Sequence, residues 1–180
     1  MPTTSGARWS TIPCVVALVV IVVAFRLADG GPTAAASAGR APAVEAPWEP
    51  ALRSLEAALE QGNAGSANRA WQEGYAAAVA SGRWEGYVAM GDAIRRIANV
   101  TGSRSLGEAR SRSLYLAALF RARQQGLVAG VLRTAQAFAD LGDGEVVEQC
   151  LVVARALAAR VGDREAEARI QALAGQVAAR

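Results

Sequence analysis

Six glycines divide the chain from residue 48 onwards into segments of similar length. The intervals between them are 20, 20, 24, 16 and 20 residues, and the glycines are Gly62, Gly82, Gly102, Gly126, Gly142 and Gly162. Each follows a run in which apolar residues recur every three or four positions, the pattern of an amphipathic helix. Glycine readily adopts the left-handed conformation that ends many helices. The pattern therefore predicts an all-α fold whose helices stop at these glycines.

The clearest helix pair is predicted between residues 131 and 163. Gly142-Asp143 separates its two apolar runs, and Gly162-Asp163 repeats the same pair of residues at the end. An aspartate in this position can accept a backbone N–H at the start of the next helix. Two glycine intervals make a helix pair of about 40 residues, a length found in helical repeat proteins. We therefore predict antiparallel helix pairs joined by tight turns.

Two segments of the chain resemble the tetratricopeptide repeat (TPR) of bacterial proteins. The first is similar to a second repeat helix, with Leu141-Gly142-Asp143, Val147, Leu151, Ala154 and Gly162-Asp163. The other, Tyr87-x-x-Met90-Gly91-x-x-Ile94, resembles the W-x2-L-G-x2-Y pattern of a first helix. The resemblance implies a TPR-like α-solenoid, a right-handed superhelix of antiparallel helix pairs. A degenerate TPR or another helical repeat of similar pitch fits the spacing.

The N-terminal part of the sequence has a different character. Residues 12–25 are an apolar run without charge, and residues 9–28 reach the length of a membrane span if Arg26 extends to the interface. We expect residues 1–28 to be a signal anchor or transmembrane helix. Ala36-Ser37-Ala38 leaves open a cleaved signal and a secreted domain beginning after Ala38, and a buried cytosolic helix is a third interpretation.

The remaining boundaries follow from composition. Residues 29–47 are rich in Ala, Gly, Pro and Ser, which predicts a disordered linker. Residues 48–180 are then one TPR-like helical repeat domain. Arg8 precedes the apolar run, whereas the charges that follow it cancel, and this asymmetry favours a translocated domain. The expected location is the cytoplasmic (inner) membrane of a bacterium, single-pass, with the domain on the extracytoplasmic or periplasmic side.

The residue inventory excludes much catalytic chemistry. The chain contains no histidine and no lysine, so triads with histidine, histidine–metal sites and lysine-containing phosphate loops are impossible. Four acidic residues between 140 and 148 coincide with a predicted helix start, where negative charge is favourable. We expect no enzymatic activity, no metal and no cofactor.

Arginine is concentrated between residues 93 and 139, where eight arginines accompany a single acid, Glu108. These arginines are either solvated and ion-paired within the chain, or they form a basic groove for an acidic peptide or anionic headgroups. In the helix predicted from Ser105 to Gln125, Arg110 and Arg121 share one stripe and Arg112 and Arg123 another. The face between the stripes is its expected core face, formed by Leu106, Ala109, Leu116, Ala117 and Phe120. Tyr115, Ala118 and Leu119 lie on the opposite side, which predicts a helix packed on two sides.

The TPR resemblance implies a membrane-anchored, non-catalytic scaffold or adaptor for protein–protein interaction. Its concave face, built mainly by first helices, would bind a partner peptide or helix. The candidate partner-binding residues are Arg95, Arg96 and Arg133 on first helices, with Arg112 and Arg123 on a second helix. The expected partners are proteins, including acidic peptides, and the membrane through residues 9–28. Nucleic acid is not expected, because residues 48–180 contain 16 arginines against 14 acids.

Two alternatives to the adaptor stay open. One is a self-assembling structural helical module of a membrane complex, in which the protein is an oligomer. The other is a helical bundle that binds a small ligand, which needs a polar pocket lined by several carboxylates.

Overall fold

The structure, a computed structural model, describes residues 45–179, which form seven α-helices and no strand. The helices are α1 (Glu49–Glu60), α2 (Ala64–Ser81), α3 (Trp84–Thr101), α4 (Arg104–Gln124), α5 (Val128–Ala139), α6 (Gly144–Val161) and α7 (Arg164–Ala178). The all-α prediction is confirmed for this part of the chain. None of these seven helices is long and apolar enough to cross a bilayer. The predicted anchor at residues 1–28, and the predicted linker as far as residue 44, lie outside the described residues.

Each predicted glycine lies in the turn after a helix, in the left-handed conformation. The φ angles at Gly62, Gly82, Gly102, Gly126, Gly142 and Gly162 lie between 64° and 79°. At five of these turns the residue after the glycine donates its N–H to the carbonyl four residues before the glycine, as from Asn63 to Ala58 at 2.8 Å. This is the bond of a Schellman motif, which satisfies a carbonyl that the helix end leaves unpaired. The predicted helix stops are confirmed.

The helices pack as successive antiparallel pairs. Each helix contacts the next along the chain, which gives the pairs α1/α2, α3/α4 and α5/α6 and a final helix α7 against α6. The odd-numbered helices also contact one another in order, α1 with α3, α3 with α5 and α5 with α7. A row of odd-numbered helices therefore runs through the described part of the chain.

A tryptophan, an alanine and a glycine meet where one helix pair packs against the next, and this arrangement occurs twice. A Cβ atom on Gly86, in the first turn of α3, would lie 2.8 Å from the Ala78 Cβ and 2.9 Å from the Trp48 ring. The same residue types meet one pair later, at Trp84, Ala122 and Gly130. In both places a tryptophan at the start of one odd-numbered helix covers a glycine of the next, beside an alanine of the intervening helix. The sequence patterns did not indicate this internal repetition.

The core face of α4 differs from the prediction. The large apolar residues expected inside are exposed, with relative exposures of 70% at Leu106, 52% at Leu116 and 60% at Phe120. The buried residues of α4 are Gly107, Ser111, Leu114, Tyr115, Ala118 and Ala122. Small residues face inward because the helices come very close: any Cβ atom on Gly107 would overlap the side chain of Ala98 on α3. Leu106, Leu116 and Phe120 therefore face outward, whereas Leu114 and Tyr115 are the large side chains on the buried face.

The observed orientation of α4 predicts a large loss of stability for one truncation and almost none for another. Leu114→Ala truncates a side chain that is only 6% exposed, so we expect the free energy of unfolding to fall by about 2–4 kcal/mol. Phe120→Ala removes more atoms from a residue that is 60% exposed, and we expect a change within about 0.5 kcal/mol. Urea unfolding of the detergent-solubilised chain, followed by circular dichroism, measures both. A larger loss for Phe120→Ala would show that the predicted face, and not the observed one, is buried.

Candidate partner-binding cleft

A stripe of polar side chains runs along the solvent-exposed side of α3. Asp92, Arg95, Arg96 and Asn99 are spaced at i, i+3, i+4 and i+7, which places them on one face of the helix. Together with Arg133 of α5 and Asp140, which follows α5, they line a cleft of about 450 Å³. We call this site the α3–α5 cleft.

A smaller cavity adjoins this cleft. It has a volume of about 240 Å³ and shares Arg95, Asn99 and Asp140 with the larger cleft. Its other lining residues, Arg104 and Glu108, come from the first turns of α4. The polar concavity therefore extends from α5 across α3 to the beginning of α4.

The arginines of the cleft connect successive odd-numbered helices. Arg133 of α5 donates from Nη2 to Oδ2 of Asp92 on α3 at 2.5 Å, and Arg96 of α3 forms an ion pair with Glu56 of α1. The side chains in these two pairs are 33–46% exposed, so solvent screens the charges and the pairs contribute little to stability. Arg95 donates to the main-chain carbonyl of Asp140 at 3.1 Å. These contacts orient the guanidinium groups at the surface of the cleft.

Asp92 is held from inside the protein by Tyr115 of α4. The Tyr115 hydroxyl donates to Oδ1 of Asp92 at 2.6 Å, while Arg133 binds the other carboxylate oxygen. The tyrosine is fully buried, and its ring packs edge-to-face against Phe138 with the centroids 5.7 Å apart. Burial raises the pKa of Tyr115 well above its ordinary value, and the hydrogen bond to Asp92 raises it further. Tyr115 therefore stays protonated at physiological pH and keeps its hydrogen bond to Asp92.

The five predicted site residues separate into two groups. Arg95, Arg96 and Arg133 lie together in the α3–α5 cleft. Arg112 lies elsewhere, where Nε and Nη2 donate to the Asp143 carboxylate at 2.7 and 3.1 Å and hold α4 against the turn between α5 and α6. Arg123 is exposed near the end of α4 and does not line the cleft.

Sequence reasoning missed four residues of the site. Asp92, Asn99 and Asp140 line the cleft, and Tyr115 holds Asp92 from behind. The i, i+3, i+4, i+7 spacing of α3 could have identified the first two, because it places polar residues on one stripe. Nothing in the spacing pairs Tyr115 with a residue 23 positions earlier in the chain.

The chemistry of the cleft suits binding. It offers guanidinium and amide donors beside the carboxylates of Asp92 and Asp140. Within residues 45–179, no group of three or more acidic or cysteine side chains is placed to hold a metal ion.

No protein-family model, curated protein or solved structure matches this chain.

Because the buried Tyr115 hydroxyl donates to Asp92, we expect the free energy of unfolding to depend on pH in the alkaline range. Near neutral pH, Tyr115→Phe should lower the free energy of unfolding by about 1–3 kcal/mol, since the hydroxyl donates to a carboxylate. Because the folded pKa of Tyr115 is raised, the stabilisation is complete below the unfolded pKa of about 10 and declines as the pH rises above it. The difference between wild type and Tyr115→Phe should therefore shrink above pH ~10.

The matched control for this experiment is Tyr75→Phe. This substitution also removes one phenolic hydroxyl, from a side chain that is 37% exposed, and leaves the Tyr115–Asp92 bond intact. Denaturant unfolding across the alkaline range measures all three proteins. A difference between wild type and Tyr115→Phe that stays constant with pH would contradict the burial of this hydroxyl.

Proposed function

We propose that the protein is a non-catalytic adaptor for protein–protein interaction, anchored to a membrane by residues 9–28. Its ligand is an acidic peptide or the acidic face of a partner's helix, bound in the α3–α5 cleft. The observation that carries the proposal is the convergence of Arg95, Arg96 and Arg133 from two helices on one cleft of about 450 Å³.

The helix arrangement supports a TPR-like right-handed superhelix as the scaffold. The odd-numbered helices contact one another in order, and the Trp–Ala–Gly contact recurs between successive pairs. Repetition of this kind generates the extended concave surfaces that repeat proteins use for binding. The cleft lies between two helices of that row, α3 and α5, where the resemblance to TPR proteins implies a ligand.

The existing ion pairs are compatible with an acidic ligand. A guanidinium group has five N–H donors in a planar fork, and the pair of Arg133 with Asp92 engages Nη2. Because the pairs at Arg133 and Arg96 are partly exposed, their strength in water is small. A carboxylate of the partner can bind the remaining donors or replace Glu56 at Arg96. The three arginines disfavour a basic partner, which would bring like charges together in the cleft.

Tethering would make a weak interface of this kind effective. A domain held at a membrane by one anchor meets partners in the same membrane at a high effective concentration. Modest affinity in the cleft is then sufficient for a stable complex.

Self-assembly is a second candidate, supported by a groove at the last helix. This groove, of about 470 Å³, lies between α6 and α7 and includes Leu151, Val152, Ala174 and Val177 in its lining. A helix from a neighbouring copy could fill it and continue the stack. Light scattering on the detergent-solubilised chain distinguishes a monomeric adaptor from such an oligomer.

A photo-crosslinking amino acid at Asn99, which lines both cavities, tests the adaptor proposal in native membranes. We expect one or a few proteins to be crosslinked. Reversing the three arginines together, Arg95→Glu, Arg96→Glu and Arg133→Glu, should reduce the yield more than about tenfold, because like charges then face an acidic partner.

The control reverses three exposed arginines outside the cleft, Arg69→Glu, Arg160→Glu and Arg169→Glu. It applies the same change of net charge and should leave the crosslinking yield unchanged. Equal yields from wild type and the cleft variant would rule out the cleft as the binding site, and equal losses from both variants would point to net charge alone.

A further inference from the structure

The outward face of α4 is apolar. Leu106, Leu116 and Phe120 are each more than half exposed, and the smaller residues Ala109, Ser113 and Ala117 lie between them. At 100° per residue these six positions fall within an arc of about 100°. We call this surface the α4 stripe. Three large exposed apolar side chains on one face of a helix point to a contact with another molecule.

Arginines border the α4 stripe along both edges. Arg110 and Arg121 follow one edge, held over the rings of Trp71 at 4.3 Å and Tyr87 at 5.5 Å. Arg112 and Arg123 follow the other edge, with Arg112 paired to Asp143. The only acid of α4, Glu108, lines the cavity beside the α3–α5 cleft, away from the stripe. The exposed face of α4 therefore has an apolar centre and basic margins.

We propose that the α4 stripe docks on an anionic bilayer surface, with Leu106, Leu116 and Phe120 inserted at the boundary between headgroups and acyl chains. A surface with leucine and phenylalanine at its centre can bind the membrane interface by burying apolar area, and basic residues at its margins add attraction to anionic lipids. The arginine margins bind lipid phosphates, whose geometry suits a guanidinium fork. This docking is separate from partner binding in the α3–α5 cleft.

Other occupants of the stripe fit its charge less well. A second copy packed stripe to stripe would place arginine margins against arginine margins, which is repulsive. The apolar run at residues 12–25 contains no acid to balance those margins. An acidic helix of another protein would match the charge; the bilayer is favoured here on the strength of the anchor in the proposed function.

The length of the sequence outside the structure favours the membrane. Nineteen residues separate the end of the apolar run, Phe25, from Glu45, where the described residues begin. A chain of that length spans roughly 25 Å as a random coil. With the anchor of the proposed function in a bilayer, a link of that length would keep residues 45–179 near its surface.

Depth-dependent fluorescence quenching on the full chain tests this docking. A bimane label at Ser113→Cys, in a Cys14→Ser background, reports from the centre of the α4 stripe. Cys150 can remain, because burial raises the pKa of its thiol to about 11 and keeps it out of reach of the reagent. The chain is reconstituted in vesicles containing nitroxide lipids, either of phosphatidylcholine alone or with added phosphatidylglycerol. We expect the nitroxides to quench the label at Ser113→Cys in the anionic vesicles only.

Two variants separate the apolar and basic contributions. Leu116→Ser with Phe120→Ser should abolish quenching without lowering the melting temperature, since both side chains are exposed. Arg110→Gln with Arg123→Gln should weaken docking about tenfold or more, because each arginine contributes on the order of a factor of five at an anionic surface. A label at Gln171→Cys, exposed on α7, is the positional control and should remain unquenched.

Three results would overturn the proposal. Quenching no greater than at Gln171→Cys would mean that the stripe does not meet the bilayer. Equal quenching in neutral and anionic vesicles would remove the role of the arginines. A spectral shift of the label that increases with protein concentration, without quenching by lipid, would identify a second copy as the occupant.

Discussion

The fold depends on the left-handed glycine that follows a helix. With the glycine at positive φ, the next N–H bonds back to a carbonyl inside the finished helix, and the chain reverses within two to four residues. Four of the five accepting carbonyls belong to alanines that are at most 7% exposed, at positions 58, 98, 122 and 158. Because the side chain beside these four turns is so small, the next helix can lie against the end of the previous one. Short turns and close packing therefore have the same origin.

The contrast between helix ends and helix faces explains what the sequence could predict. A glycine stop is decided within a few residues, so spacing identified all six stops. The buried face of α4 is decided by the helices around it, which accept only small residues at Gly107, Ser111 and Ala118. Periodicity locates an apolar stripe but does not determine whether a neighbouring helix covers it. The two Gly-Asp pairs show the same limit. Asp163 caps α7 by accepting the N–H of Ala166, as its position predicts, whereas the carboxylate of Asp143 pairs with Arg112 of a neighbouring helix.

The candidate site follows the same rule. Three of the five predicted arginines lie in one cleft because α3 and α5 are adjacent first helices, which the repeat spacing alone could indicate. The acids that pair with them, Glu56 and Asp92, and the buried Tyr115 depend on side-chain contacts between helices, and no one-dimensional pattern contains them. A net excess of arginine in the sequence is therefore distributed in the fold as separate local pairs.

The distribution of those pairs gives the α3/α4 pair two unlike surfaces. Along α3, Arg96 pairs with Glu56 of α1 and Asp92 pairs with Arg133 of α5, so the cleft is polar, ordered and nearly balanced in charge. On α4, Arg110 and Arg121 rest on aromatic rings, and a ring orients a guanidinium without neutralising it. The positive charge of α4 therefore remains available to an outside partner, beside the apolar side chains that the close packing of small residues has turned outward. The small residues on the inner face of α4 and the exposed apolar and basic residues on its outer face are therefore two consequences of the same close packing.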